Sequence, residues 1–144
     1  MAAPLFSPTP SAVPPAVPLV ETGREWLVEA FGCDAHALAE PAALARLFER
    51  MIAELGLHPA APTLWHRFPG PGGVTGLCLL AESHLTVHTF PEHGSLCLNL
   101  FCCRPRAEWG FEAALTEQFG AAQVVVRRVE RPYAPLVSQP VPAR

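Results

Sequence analysis

The sequence predicts an α+β domain, a two-layer sandwich in which an antiparallel β-sheet carries two helices on one face. Six strand-like runs and two helix-like runs follow one another in the order β-α-β-β-β-β-α-β along 144 residues. That order implies an antiparallel sheet with both helices packed on the same side. Half of the residues are hydrophobic and 16% are charged, so the chain can bury a core of its own.

The first half of the domain contains a strand and the longer helix. Residues 25–31 form a first strand, and Gly32-Cys33-Asp34 turns the chain. Between 41 and 55 the apolar residues recur at steps of three and four, which is typical of an amphipathic helix, and Gly56 ends it. The members of that apolar stripe are Leu44, Leu47, Phe48, Met51, Ile52 and Leu55.

The second half contains the remaining strands and the second helix. The run 69–73 must be a loop, because three glycines and two prolines do not fit a regular element. Residues 91–94 form a hairpin turn. Gly120 follows the second helix at its C-terminal end. The elements predicted here are strands at 63–68, 74–80, 84–90, 95–101 and 124–126 and a helix at 108–119.

The two ends of the chain differ from this domain in composition. Residues 1–22 are rich in proline and alanine, which predicts a disordered tail, and residues 132–144 predict a flexible C-terminal tail. The folded domain then covers 23–131. The N-terminus lacks the pattern of a signal peptide and no apolar run is long enough for a bilayer, so we expect no membrane association.

Composition also narrows the class of protein. Five cysteines without CxxC spacing fit neither a disulfide framework nor a zinc finger, and free thiols favour the cytoplasm. A net charge of −3 with scattered basic residues argues against a nucleic-acid partner. His84, His88 and His93 do not match a known metal geometry, so we expect no metal.

The segment 82–92, with the sequence ESHLTVHTFPE, concentrates proton-handling side chains in a strand-like run. Buried strands rarely carry so many polar groups, because each must find a partner. His88 follows Ser83 by five residues, and Cys103 ends the next strand. An odd separation places Ser83 and His88 on opposite faces unless a bulge intervenes or Ser83 lies just outside the strand. A serine hydrolase is disfavoured, because the G-x-S-x-G elbow is missing.

This segment, with Cys103 at the matching distance, resembles the prokaryotic pyruvoyl-dependent S-adenosylmethionine decarboxylase proenzymes, whose hallmark is of the type ESHLTIHTWPE. The resemblance extends to Phe68 and to Gly73-Val-Thr-Gly76, and it covers roughly 23–131. It implies decarboxylation of S-adenosylmethionine to the aminopropyl donor of spermidine biosynthesis. It also implies a homodimer of cleaved αβ protomers with sites near the subunit interface.

The resemblance further implies that the chain cuts itself between Glu82 and Ser83 into a β chain, 1–82, and an α chain, 83–144. Ser83 becomes a pyruvoyl group, whose ketone forms a Schiff base with the substrate amine and accepts electrons as carbon dioxide leaves. By motif position Cys103 is the proton donor in that reaction. His88 assists the self-cleavage, and Thr75 stands where the family has a serine that supports the ester step.

The same resemblance implies that Phe68 and Phe90 sandwich the adenine and that Glu92 binds the ribose hydroxyls. Several positions depart from the family pattern: Phe90 replaces a frequent Trp, Asn99 replaces a carboxylate, and Arg104 replaces a glycine. A second hypothesis is therefore a pyruvoyl decarboxylase of another amino acid, such as ornithine or arginine. A third is an uncleaved, non-catalytic relative that binds a ligand or a partner.

Overall fold

A computed structural model of the protein describes residues 22–135. Thr22 begins the first strand and Pro132 ends the last one, so the ordered elements reach one residue beyond each end of the predicted domain. The rest of the predicted tails, residues 1–21 and 136–144, lies outside the described residues. Within the described part of the chain, no helix is both long and apolar enough to cross a membrane.

Six strands form one sheet with the spatial order β2-β3-β4-β5-β1-β6, and every neighbouring pair is antiparallel. This arrangement confirms the predicted fold class. The strands are β1 (Thr22–Phe31), β2 (Leu64–Arg67), β3 (Val74–Leu80), β4 (Ser83–Phe90), β5 (Ser95–Cys102) and β6 (Gln123–Pro132). The helices are α1 (Ala35–Ala39), α2 (Pro41–Leu55) and α3 (Phe111–Phe119), and Pro91–His93 form a 3-10 turn between β4 and β5.

The helix α1 and the full length of β6 are the main differences from the sequence-based expectation. The side chain of Asp34 accepts a hydrogen bond from the Ala37 amide and so caps α1, which is too short to show helical periodicity. The closing strand was expected only at 124–126, because the residues after it are mostly charged. Arg127 and Arg131 pair with Glu29 and Glu25 of β1, which extends the strand along its neighbour.

One face of the sheet is packed and the other is open. Side chains alternate along the central strand, so that Leu85, Val87 and Thr89 are buried while His84 and His88 are exposed. The buried side faces α2 and α3, whose Phe48 and Phe111 pack against Trp65 and Trp26 of the sheet. The open face is available to a ligand or to another protein.

Candidate active site

The strand β4 carries most of the segment 82–92 through the middle of the sheet, between β3 and β5. Its pairing is continuous, from Ser83 opposite Cys102 to Phe90 opposite Ser95. Ser83 therefore lies on the helix-covered face and His88 on the open face. Five residues of strand separate the two side chains by roughly 17 Å. The structure consequently divides the predicted site residues of one chain into two clusters, at the two ends of β4.

The first cluster surrounds the bond between Glu82 and Ser83. Ala81 and Glu82 form the turn that joins β3 to β4, and the Glu82 side chain is exposed. The carbonyl oxygen of Glu82 accepts a hydrogen bond of 2.9 Å from the backbone amide of Cys103. The carboxylate of Glu82 lies 2.9 Å from the Arg104 guanidinium. The two residues that follow β5 thus bind Glu82, one through its carbonyl oxygen and the other through its carboxylate.

Ser83 is half-buried and lines a cleft of about 280 Å³ together with His58 and Arg106. On the helix-covered face its neighbour across the ladder is Cys102, which is fully buried. The Ser83 hydroxyl and the Arg106 guanidinium lie near enough to the Cys102 thiol to act on its ionisation as hydrogen-bond partners. Burial raises the pKa of this thiol, and these two partners offset only part of that effect. The group beside Ser83 is therefore a neutral thiol.

The second cluster lines a larger cleft, of about 540 Å³, at the other end of β4. The structure brings together here Phe68, Thr75, His88, Phe90 and Glu92, which the sequence analysis had selected. Their elements explain the convergence, because β3 and β4 pair side by side and the 3-10 turn follows β4 directly. The cleft combines two aromatic rings with a carboxylate, a hydroxyl and an imidazole.

Thr75 and His88 are direct neighbours across the β3–β4 ladder. The Thr75 Oγ1 atom lies 2.9 Å from Nδ1 of His88, so this hydrogen bond fixes the ring. In the tautomer whose Nδ1–H donates to Thr75, the Nε2 atom keeps its lone pair and can act as a base.

The glycine-rich loop shapes the rim of this cleft. The amide of Phe68 donates to the carbonyl of Gly73 at 2.8 Å, which closes the loop on itself. Gly70 and Gly72 adopt positive φ angles of 76° and 79° that favour glycine. The loop thereby places Phe68 at the cleft, where His66 meets its ring edge-on at 4.5 Å. His66 was missed by the sequence analysis, although its place opposite Thr75 would follow from the register of β2.

The two charge-altering departures from the family pattern lie outside the larger cleft. Asn99 is on the open face of β5, where its Nδ2 donates to the Glu25 carboxylate at 2.7 Å. Arg131 binds the same carboxylate. Burial raises the pKa of Glu25, but the hydrogen bonds from Asn99 and Arg131 outweigh it and leave the pKa below its usual value. Arg104 pairs with Glu82, so neither departure contributes to the cleft that holds Phe90.

Among residues 22–135, no group of three or more His, Cys, Asp or Glu side chains is placed to hold a metal ion.

Comparisons with known proteins agree on one family. The family model described as S-adenosylmethionine decarboxylase matches residues 24–132. The S-adenosylmethionine decarboxylase proenzyme of Acetivibrio thermocellus is 34% identical over 113 residues, which cover 76% of this chain and 87% of the relative. The proenzyme of Caldicellulosiruptor saccharolyticus is 33% identical over 123 residues, covering 83% and 93%.

A solved structure supports the fold independently. The crystal structure of the adenosylmethionine decarboxylase from Aquifex aeolicus aligns with a TM-score of 0.65 and 23% sequence identity. The alignment covers 84% of this chain and 99% of the crystallised one. This likeness concerns the architecture, with its antiparallel sheet and one layer of helices.

Proposed function

The chain belongs to the S-adenosylmethionine decarboxylase family, and we propose that it cuts itself between Glu82 and Ser83 to make the pyruvoyl group with which it decarboxylates S-adenosylmethionine. The product of that reaction serves as aminopropyl donor in spermidine biosynthesis, which is the role of the family. The main observation in support of this proposal is a hydrogen bond at the scissile bond. The Cys103 amide donates to the Glu82 carbonyl, next to Ser83.

The first step is an N-to-O acyl shift. The Ser83 oxygen bonds to the carbonyl carbon of Glu82, the carbon–nitrogen bond breaks, and the hydroxyl proton passes to the freed amine. Negative charge develops on the Glu82 oxygen meanwhile, and the Cys103 amide, already 2.9 Å away, stabilises it. The turn is exposed, so the chain can rearrange here while the pairing of β3 with β4 stays intact.

The second step is β-elimination. A base takes the Cα proton of Ser83, the Cβ–oxygen bond breaks, and Glu82 leaves as a carboxylate. The resulting enamine tautomerises to an imine, and water converts this to the pyruvoyl ketone and ammonia. We assign the proton transfer to Nε2 of the partner's His88, because His88 of the same chain lies at the far end of β4. Thr75 orients each His88 ring through Nδ1.

The finished pyruvoyl group would supply an electron-withdrawing carbonyl for the loss of carbon dioxide. The surroundings of Ser83 fit a pyruvoyl group, because the residue is half-buried in a small cleft. The turn before it is exposed, so a new chain end can be accommodated there. Cys103 adjoins this position and returns a proton to the product. Phe68 and Phe90 offer aromatic faces to the adenine, and Glu92 offers acceptors to the ribose hydroxyls.

Mass spectrometry and substrate competition test this function. We expect the purified protein to consist of two chains, 1–82 and 83–144, and to release carbon dioxide from S-adenosylmethionine. Release from ornithine or arginine should stay at background, since the cleft with Phe68, Phe90 and Glu92 suits a nucleoside. Turnover of ornithine or arginine alone would favour the second hypothesis. A single intact chain of 15.5 kDa would favour the non-catalytic relative.

We further propose that the enzyme is a homodimer whose open sheet faces pack together. In a single chain the base His88 lies too far from Ser83, at the opposite end of β4. A two-fold axis crossing the middle of β4 would place each Ser83 end against the partner's His88 end. The open face suits such contact, since Leu64, Leu77 and Leu79 are 72%, 48% and 62% exposed there. The same three leucines line an apolar cleft of about 580 Å³.

Leu79→Asp tests this packing. Each carboxylate buried at the interface without a partner is expected to cost about 3 kcal/mol. The two-fold dimer would bury two of them, so association should weaken by at least about hundredfold. Light scattering across a concentration series should show a monomer, and cleavage should slow with it. Ala113→Asp is the control, because Ala113 is exposed on α3 on the opposite side of the sheet. Dimers of undiminished stability in Leu79→Asp would contradict the proposed face.

A further inference from the structure

Cys102 is a buried residue of the core that also stands at the proposed cleavage site. It stands directly opposite Ser83 in the β4–β5 ladder, with its side chain on the same face. Cys102 has an exposed fraction of 0%, and the side chains of Ser83 and Arg106 lie near enough to its thiol to offset part of the rise in its pKa that burial causes. It also adjoins Cys103, whose amide holds the carbonyl that Ser83 must attack. Cys102, the last residue of β5, and Cys103, which follows it, are thus the neighbours of the two reacting groups of the self-cleavage.

The guanidinium of Arg106 is itself fixed, which makes this arrangement rigid. Arg106 donates to the backbone carbonyl of Leu55 at the end of α2, and its own carbonyl accepts from Arg24. The thiol is therefore held between an anchored cation and the Ser83 hydroxyl. Because the orientation of a nucleophile strongly affects the rate of attack, a fixed partner for the hydroxyl is valuable here.

The partner of Cys102 changes chemically during self-cleavage. Before the reaction the group opposite the thiol is a hydroxyl, which seeks a hydrogen bond. Afterwards the oxygen has left with Glu82, and the former Cβ of Ser83 is the methyl group of the pyruvoyl. A thiol accommodates both, since it forms weak hydrogen bonds and also packs as a small hydrophobe. A serine hydroxyl would suit only the precursor, and an alanine methyl only the product.

We propose that Cys102 is a positioning residue for Ser83, which orients the hydroxyl for attack in the precursor and packs against the pyruvoyl methyl in the mature enzyme. This inference rests on the proposed self-cleavage at Glu82–Ser83. It gives the buried thiol of β5 a role that is separate from the proton transfer assigned to Cys103.

Two substitutions separate the two halves of this role. Cys102→Ala is expected to slow cleavage by about tenfold or more, since the hydroxyl loses its partner. Cys102→Ser should cleave at close to the wild-type rate but release carbon dioxide more slowly per cleaved chain, because an unpartnered hydroxyl would face the methyl. The measurements are a time course of intact mass after cell-free synthesis and carbon dioxide release normalised to cleaved protein.

Cys78→Ala is the matched control. Cys78 is also a buried thiol on the packed face, 1% exposed, but it lies on β3 opposite Leu85. Both alanine variants should lose similar thermal stability, so slower cleavage in Cys102→Ala alone supports positioning. Cleavage of Cys102→Ala at the rate of Cys78→Ala would overturn the inference and leave the proposed function intact. An uncleaved wild-type chain would overturn the proposed function instead, and the inference with it.

Discussion

Replacing Ser83 with alanine is expected to leave a single chain of 15.5 kDa and to abolish the release of carbon dioxide from S-adenosylmethionine. Alanine keeps the backbone and the Cβ atom but removes the oxygen that attacks Glu82. No ester forms, and so no pyruvoyl group follows. The fold should persist, because Ser83 is only half-buried and its hydroxyl can contribute at most one hydrogen bond, worth about 1 kcal/mol. Intact-mass analysis and a carbon dioxide assay on the same sample measure both effects.

Two variants of the same hairpin serve as controls for this result. Ser95→Ala removes a hydroxyl from β5 opposite Phe90, far from the turn, and should cleave and react normally. Cys103→Ala keeps the Ser83 hydroxyl and the backbone amide that holds the Glu82 carbonyl. It should therefore cleave but decarboxylate poorly. Two chains from Ser83→Ala would show that the cut lies elsewhere or uses another nucleophile.

A mixed dimer should restore what each of two inactive variants has lost. His88→Ala alone is expected to stall before β-elimination, and Ser83→Ala alone does not begin. Produced together, they form dimers in which one of the two sites combines an intact Ser83 with an intact His88. With equal amounts and random pairing, about half of the His88→Ala chains have such a partner and should be cleaved. Mass spectrometry distinguishes the two chains by their different masses.

The matched control replaces Ser83→Ala by the double variant Ser83→Ala/His88→Ala. This partner preserves the dimer but supplies no imidazole, so His88→Ala should stay stalled. Failure of the single Ser83→Ala partner to restore cleavage, in mixed dimers isolated by two affinity tags, would mean that His88 acts within its own chain. The β4 strand would then have to deform, because its continuous pairing holds the two residues apart.

The fold could largely be predicted because its signals are local. The stripe of apolar residues in α2 and the alternation in β3, β4 and β5 follow directly from helical and strand geometry. The charged half of β6 carries no such signal. Its residues become a strand through ion pairs with β1, which is distant in sequence.

The site shows the same limit more clearly. Five of the residues that sequence reasoning selected line one cleft. The odd separation of Ser83 from His88 indicated opposite faces of the sheet. Sequence reasoning could not show that the β4–β5 register is free of a bulge there, because register depends on pairing across the sheet. For the same reason it passed over Cys102, which lies opposite Ser83 in the β4–β5 ladder. It also could not predict that the Asn99 amide donates a hydrogen bond to the Glu25 carboxylate.

The order of strands in the sheet has a consequence for how the mature enzyme comes into being. The proposed cut after Glu82 would assign β1, β2 and β3 to one product chain and β4, β5 and β6 to the other. Yet β1 lies between β5 and β6, bonded along both of its edges. A strand of one fragment is thus inserted between two strands of the other. We therefore expect that neither fragment folds on its own and binds the other afterwards. We therefore expect the peptide bond between Glu82 and Ser83 to be required while the sheet folds, because it keeps the two halves of the chain together. After β1 has paired with β5 and β6, the sheet should remain intact without that bond.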